Sequence, residues 1–222
     1  MRKASSSEET THHVPALRRL CGLAAATILA VFGIAAVAKG LDGHATVRDA
    51  LGLERVAGQP HMTPPAIAGK AKAAGLRGVA MPTCSVAGKP IDDGASARCF
   101  AEYMRVDALM ATGGKTYAEM PRFASKDGKG TNDEALALTM PNGLPMNNPA
   151  RQVWVTETAL ATALNTSYMA EQISLFGIAV GAAFLLVALA FAAIALAGLR
   201  LPAMALALPR RRRDAGRAQA AA

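Results

Sequence analysis

The residues best equipped for chemistry are few and widely spaced. Cys84 and Cys99 are separated by 14 intervening residues, far from the Cys-x-x-Cys spacing of redox-active pairs. Two cysteines in an oxidising compartment most simply join. The expectation is a structural disulfide closing a loop of about 16 residues, which the chain-entropy model values at roughly 3 kcal/mol. The third thiol, Cys21, precedes the apolar run that follows it and so does not fit a lipoprotein cleavage site.

His44 and His61, with Met62, Met81, Met104 and Met110, supply imidazole and thioether groups of the kind that suit copper. The methionines form no Met-x-x-Met cluster and read as flexible core fillers. Neither a metal nor a cofactor is therefore expected. Asp92-Asp93-Gly94 reads as a turn rather than a catalytic carboxylate pair. Asn165-Thr166-Ser167 matches a glycosylation sequon, a pattern frequent by chance. No phosphate-cradling Gly-rich loop, Gly-x-Ser-x-Gly elbow or His-Glu-x-x-His helix occurs. An enzyme is not expected, and the alternative is a redox or metal-binding subunit using Cys84 and Cys99 or His61.

The elements that must carry these residues are dominated by two uncharged blocks. Leu20 to Ala38 contains no ionisable carboxyl, amine, guanidine or imidazole, and Ile173 to Leu199 contains none either. At about 1.5 Å per residue each is long enough for a hydrocarbon layer of roughly 30 Å. The chain is 52% hydrophobic but only 5% aromatic, so its apolar weight is aliphatic, as suits helices in lipid. The absence of charge within both blocks disfavours an ion or proton path along them. Ala36-Val37-Ala38 resembles a signal-peptidase site, but the run before it is longer than an ordinary signal core.

Charge gives the blocks a direction. Residues 1–19 carry Arg2, Lys3, Arg18 and Arg19 against Glu8 and Glu9, for +2; residues 39–172 hold 14 basic and 13 acidic groups, for +1; and residues 200–222 set six arginines against Asp214, for +5. Basic residues beside membrane spans stay in the cytoplasm, which predicts both termini inside and the middle outside. Arg18, Arg19, Arg200 and the run Arg210, Arg211, Arg212 and Arg213 are the expected lipid-headgroup contacts. Four arginines without interleaved aromatics are not read as a nucleic-acid patch. Pro202 bends or ends the second helix, leaving a short apolar stretch along the inner face.

The fold class expected is mainly α: two transmembrane helices flanking a small, mostly helical exported domain with one disulfide. Its parts are a tail 1–19, a span 20–38, a domain 39–148, a juxtamembrane helix 149–172 running straight into the span 173–199, and a basic tail 200–222. Within the domain, Thr63 before Pro64 starts a helix ending at Gly75. A longer one runs from Ala95 to Gly113-Gly114, with Cys99, Tyr103, Val106 and Met110 on one face. His44 to Leu51 suggests a short helix, and Thr116-x-x-Glu119 and Thr131-x-x-Glu134 suggest capping boxes, each opening another. Tyr168 suits an interfacial anchor, and Trp154 is placed to pack on the domain.

Between Leu41 and Ala150 there are only 15 Leu, Ile or Val and two Phe, a thin core for a globular domain. Gly177 and Gly181, a Gly-xxx-Gly pair, with Ala188 beyond them, form a candidate helix-packing face. Partners expected are the bilayer and a membrane protein or a second copy, with no nucleic acid. The function that follows is a non-enzymatic accessory, structural or binding subunit.

Overall fold

A computed structural model describes residues 9–197, with side chains from Leu17 onward. Four α-helices account for most of it: α1 (Glu9–Glu54), α2 (Pro64–Ala73), α3 (Gly94–Ala111) and α4 (Pro149–Ala197). Two 3-10 turns, Tyr117–Glu119 and Glu134–Leu136, lie between α3 and α4. The chain is mainly helical, and α1 and α4 are each long and apolar enough to cross a membrane. Two compact units are distinguished, Met1–Gly33 with Ala183–Ala222, and Ile34–Ala182.

In the first unit the described parts of α1 and α4 run side by side. A Cβ on Gly22 would lie 3.3 Å from the Ala195 methyl, so the two backbones approach closely there. Ala26, Gly33, Ala188 and Ala195 are the buried positions, all small. Bulky residues such as Leu20, Phe32, Leu186 and Ile194 point outward and are at least 64% exposed.

In the second unit α1 continues to Glu54 without a break, rather than ending at the span and restarting near His44. Gly40 and Gly43 are contact points. A Cβ on Gly40 would stand 2.6 Å from the Ser174 carbonyl oxygen and from Ile178 Cγ1, and one on Gly43 would stand 2.5 Å from Ser174 Oγ. Glycine costs a helix about 1 kcal/mol against alanine, and here the close approach of α4 offsets that cost. The helix stops at Arg55, which adopts a left-handed φ of 51°.

Helix α2 begins at Pro64, where the missing N–H is harmless. Its buried Ile67 and Ala71 join Met62, Val86, Ile91, Cys99, Tyr103 and Val106 in the main core. Helix α3 starts at an Asp93 cap: Ser96 N donates to Asp93 Oδ1 at 2.6 Å, and Asp93 N donates back to Ser96 Oγ at 3.2 Å. What reads as a turn is therefore also the first residue of a helix boundary. Met62, Met81 and Met110 fill gaps in or around this core.

Between α3 and α4 the chain is less helical than the sequence suggests. Thr116 and Glu119 do form a capping box, over a single 3-10 turn. The second turn, Glu134–Leu136, is capped by Asp133 rather than by Thr131, with Ala135 N donating to Asp133 Oδ1 at 2.9 Å. Residues 121–148 are otherwise held by isolated antiparallel bridges, Phe123 with Thr131 and Asn147, Ser125 with Ala137, and Thr139 with Pro145. Asn148 then starts α4, accepting from Ala150 N at 3.0 Å. Six residues on, Trp154 is buried with Leu109 and Met120, and its indole N–H donates to the Lys115 carbonyl at 2.6 Å.

Candidate functional site

Three helices converge on one carboxylate. Glu171, on the α4 turn just before its uncharged block, is buried, with its side chain 7% exposed. Its Oε2 accepts from Gly94 N, at the start of α3, at 2.9 Å. Its Oε1 lies 3.2 Å from His44 Nδ1 on α1. A carboxylate at a helix N-terminus meets free N–H groups and the positive end of the helix dipole. One acidic side chain thereby ties α1, α3 and α4 together.

Gly94 is required for this approach. A Cβ there would stand 2.6 Å from Glu171 Oε2 and 2.8 Å from the Tyr168 Cα, a backbone atom that cannot swing away. One turn further along α3, the Arg98 guanidinium sits over the Tyr168 ring at 4.9 Å. Another two turns on, Arg105 sits over Trp154 at 5.3 Å. These contacts, rising in number on α3 and falling on α4, make the two helices antiparallel neighbours. Tyr168, expected at a lipid interface, packs against an arginine of the domain.

The seam between α1 and α4 has a regular spacing. In the second unit it uses Ala36, Gly40 and Gly43 of α1, and Glu171, Ser174 and Ile178 of α4, at alternating steps of four and three. That 3.5-residue period is the signature of a left-handed helix pair. Gly177 and Gly181 belong to this neighbourhood: a Cβ on Gly177 would lie 3.7 Å from the Ala36 carbonyl oxygen, and Gly181 is buried. Ala188, in the first unit, is 5% exposed. The Gly-xxx-Gly face is thus spent on the chain's own α1.

Cys84 and Cys99 form a disulfide that fixes the Met81–Cys84 segment to α3. Tyr103, wholly buried, donates its hydroxyl proton to the Cys84 carbonyl at 2.7 Å, and burial pushes its phenol above the ordinary tyrosine value. Glu102 Oε2 lies 3.9 Å from Cys84 Sγ. A carboxylate there opposes both the approach of an attacking thiolate and the departure of a Cys84 thiolate.

The other candidate ligands are dispersed among separate partners. His44 faces Glu171, whereas His61 lies 4.0 Å from Asp107. Among the described residues no group of three or more His, Cys, Asp or Glu side chains is placed to hold a metal ion. Arg18 and Arg19 lie on α1, Arg18 exposed and Arg19 half-buried; Arg200 and Arg210, Arg211, Arg212 and Arg213 lie outside the described residues. Glu171 and Gly94 are not singled out by sequence motifs. The available signal is a lone acid immediately before an uncharged run.

No family model matches the chain, and no curated protein or solved structure matches it either.

Proposed function

We propose that this chain is a two-span integral membrane protein that holds a disulfide-linked domain outside the cytoplasm as a non-enzymatic structural, accessory or binding subunit. The observation that carries the reading is the exposure of apolar surface on α1 and α4. Their most apolar windows are only 11% and 17% buried within the protein. A core helix of a soluble protein would have its large residues covered, whereas Phe32, Ile34, Phe176 and Leu189 are 60% exposed or more. Apolar area costs roughly 25 cal/mol per Å² when left in water, so faces of this extent call for lipid.

Register supports the same reading. In the second unit Ser174 lies beside Gly40 and Gly43, so the start of the second uncharged block falls level with the charged Lys39 and Asp42, as suits a headgroup layer. Charge division favours both termini in the cytoplasm.

Retention of α1 is part of the reading. Ala36-Val37-Ala38 lies in the middle of a continuous helix, and Ala36 faces Gly177 in the α1–α4 seam. A cut after Ala38 would divide α1 within that seam. Glu102 beside Cys84 favours the structural reading of the disulfide over the redox alternative.

Washing membranes that contain the full chain with alkaline carbonate tests the proposal. The full-length chain, still beginning at its own N-terminus, is expected in the pellet with no free thiol at Cys84 or Cys99. Release into the supernatant, or recovery of a fragment starting at Lys39, would sink the two-span reading.

A further inference from the structure

The contact between His44 and Glu171 depends on charge. Nδ1 of His44 is buried and 3.2 Å from Glu171 Oε1, yet it makes no hydrogen bond. The two groups are close but poorly aligned. A neutral ring therefore gains little from the carboxylate and leaves a buried nitrogen unsatisfied. A charged ring gains Coulomb attraction, which needs no alignment and is stronger where water is excluded.

The backbones hold these groups together. A Cβ on Gly43, next to His44 in the chain, would stand 2.5 Å from Ser174 Oγ, so α1 and α4 touch at this level. The Glu171 side chain is 7% exposed, whereas that of His44 is 31% exposed and can exchange a proton with solvent. Other charges nearby are committed elsewhere. On α1, Lys39 pairs with Asp42 at 3.7 Å, Asp49 is exposed, and Arg48 acts on the Asp93 carboxyl. Before α3, Asp92 is exposed and Asp93 caps the helix; on α3, Arg98 lies 3.7 Å from Glu102 and covers Tyr168. From Thr158 to Ala197 of α4, Glu171 is the only charged side chain. Among the described residues it is the one acid in ion-pair reach of His44.

We propose that His44 and Glu171 form a pH-dependent latch: the protonated ring keeps the carboxylate buried beneath the Gly94 N–H, and loss of that proton frees the first turn of α3 from the α1–α4 pair. Histidine changes charge between about pH 5 and 8. A contact that favours the charged ring contributes below this range and is lost as the pH rises through it. The Asp93 cap has the opposite sign, being lost on further acidification, so the start of α3 is held most firmly in weakly acidic solution. The two-span reading enters in one respect: it puts the latch on the outer surface, where it responds to the pH outside.

Thermal unfolding of the full chain in detergent, at about pH 5.5 and about pH 8, tests the latch. The unaltered chain is expected to melt several degrees lower at the higher pH. Glu171→Gln retains an acceptor for the Gly94 N–H but no charge, and His44→Gln is neutral throughout; each is expected to remove most of the difference. His61→Gln, beside Asp107, is expected to preserve it. His44→Lys, charged at both pH values, is expected to melt alike at both. No difference in the unaltered chain, or a difference that survives in both Glu171→Gln and His44→Gln, overturns the proposal. An export-dependent reporter inserted at Gly143 keeps the two readings apart. If it is silent while the melts behave as expected, the two-span reading fails and the latch stands. If it is active while the unaltered chain shows no shift, only the latch fails.

Discussion

Glu171 accepts a hydrogen bond from the backbone N–H of Gly94 at 2.9 Å, across 77 residues of sequence. This contact, with His44 on the other carboxylate oxygen, determines where the disulfide-bearing helix sits on the long helix pair. Glu171→Ala leaves the Gly94 donor without its partner and is expected to destabilise the second unit by about 1–3 kcal/mol. Gly94→Ala is expected to do comparable harm, because its methyl would collide with the Tyr168 backbone. Limited proteolysis of the full chain in detergent checks both, with earlier cleavage in 84–98 as the expected result. Unchanged protection in both variants would contradict the assignment of Glu171 as the tie.

The glycines of the chain should divide into two opposite classes. Gly40→Ala puts a methyl 2.6 Å from Ser174 O and Ile178 Cγ1, and overpacking of this kind costs roughly 1–3 kcal/mol. Gly69 lies on α2 with open space around it, so Gly69→Ala is expected to stabilise by about 0.5–1 kcal/mol through helix propensity and a less flexible unfolded chain. Thermal unfolding of both variants in the same detergent checks the signs. Equal shifts in one direction would mean that the α1–α4 seam is not closely packed.

Replacing Cys84 and Cys99 together by serine is expected to cost roughly 3 kcal/mol on the chain-entropy account. Against the thin core, that is a large share of a typical domain's stability of about 5–15 kcal/mol. Glu102→Gln removes the charge beside Cys84 and is expected to speed reduction by a small thiol severalfold, measured as thiol release over time. No change in rate would remove the electrostatic argument for a durable bond.

Acid should loosen the start of α3. The Ser96 backbone N–H holds the Asp93 carboxyl below its ordinary value, with a further contribution from the Ser96 hydroxyl and from the charge of Arg48. A carboxylate with a depressed pKa contributes stability that is present above about pH 4 and lost as the pH falls through the folded-state value. Asp93→Ala is expected to cost about 1 kcal/mol at neutral pH, the usual worth of such a cap. It should also flatten this part of the acid limb in a pH series of thermal melts. A variant with an unchanged acid limb would show that the cap does not contribute.

The outline of this fold is legible in the sequence where a single strong signal governs. Pro149 after two asparagines, followed by 48 residues without a proline, gives α4 over its described extent, Pro149–Ala197. Helix α3 is equally plain from its face of Cys99, Tyr103 and Val106, and the disulfide from an isolated pair of thiols. The continuation of α1 to Glu54 is not legible, because Gly40 and Gly43 lower local helix propensity and only the approach of α4 explains them. The bridged segment 121–148 is missed for the opposite reason. Two plausible capping boxes, at Thr116 and Thr131, point to helices, but Pro121 and Pro141 follow closely and each site yields only a single 3-10 turn. Glu171 escapes notice because its importance lies in a neighbour 77 positions away.

The central claim is that α1 and α4 each cross the bilayer, leaving the disulfide-linked domain outside. Topology reporters fused to the full chain test it most directly: an enzyme active only after export, inserted in the loop at Gly143, and a fluorescent protein that matures only in the cytoplasm, placed after Arg213. The account predicts activity from the first and fluorescence from the second. A silent reporter at Gly143, or an exported one after Arg213, would contradict it.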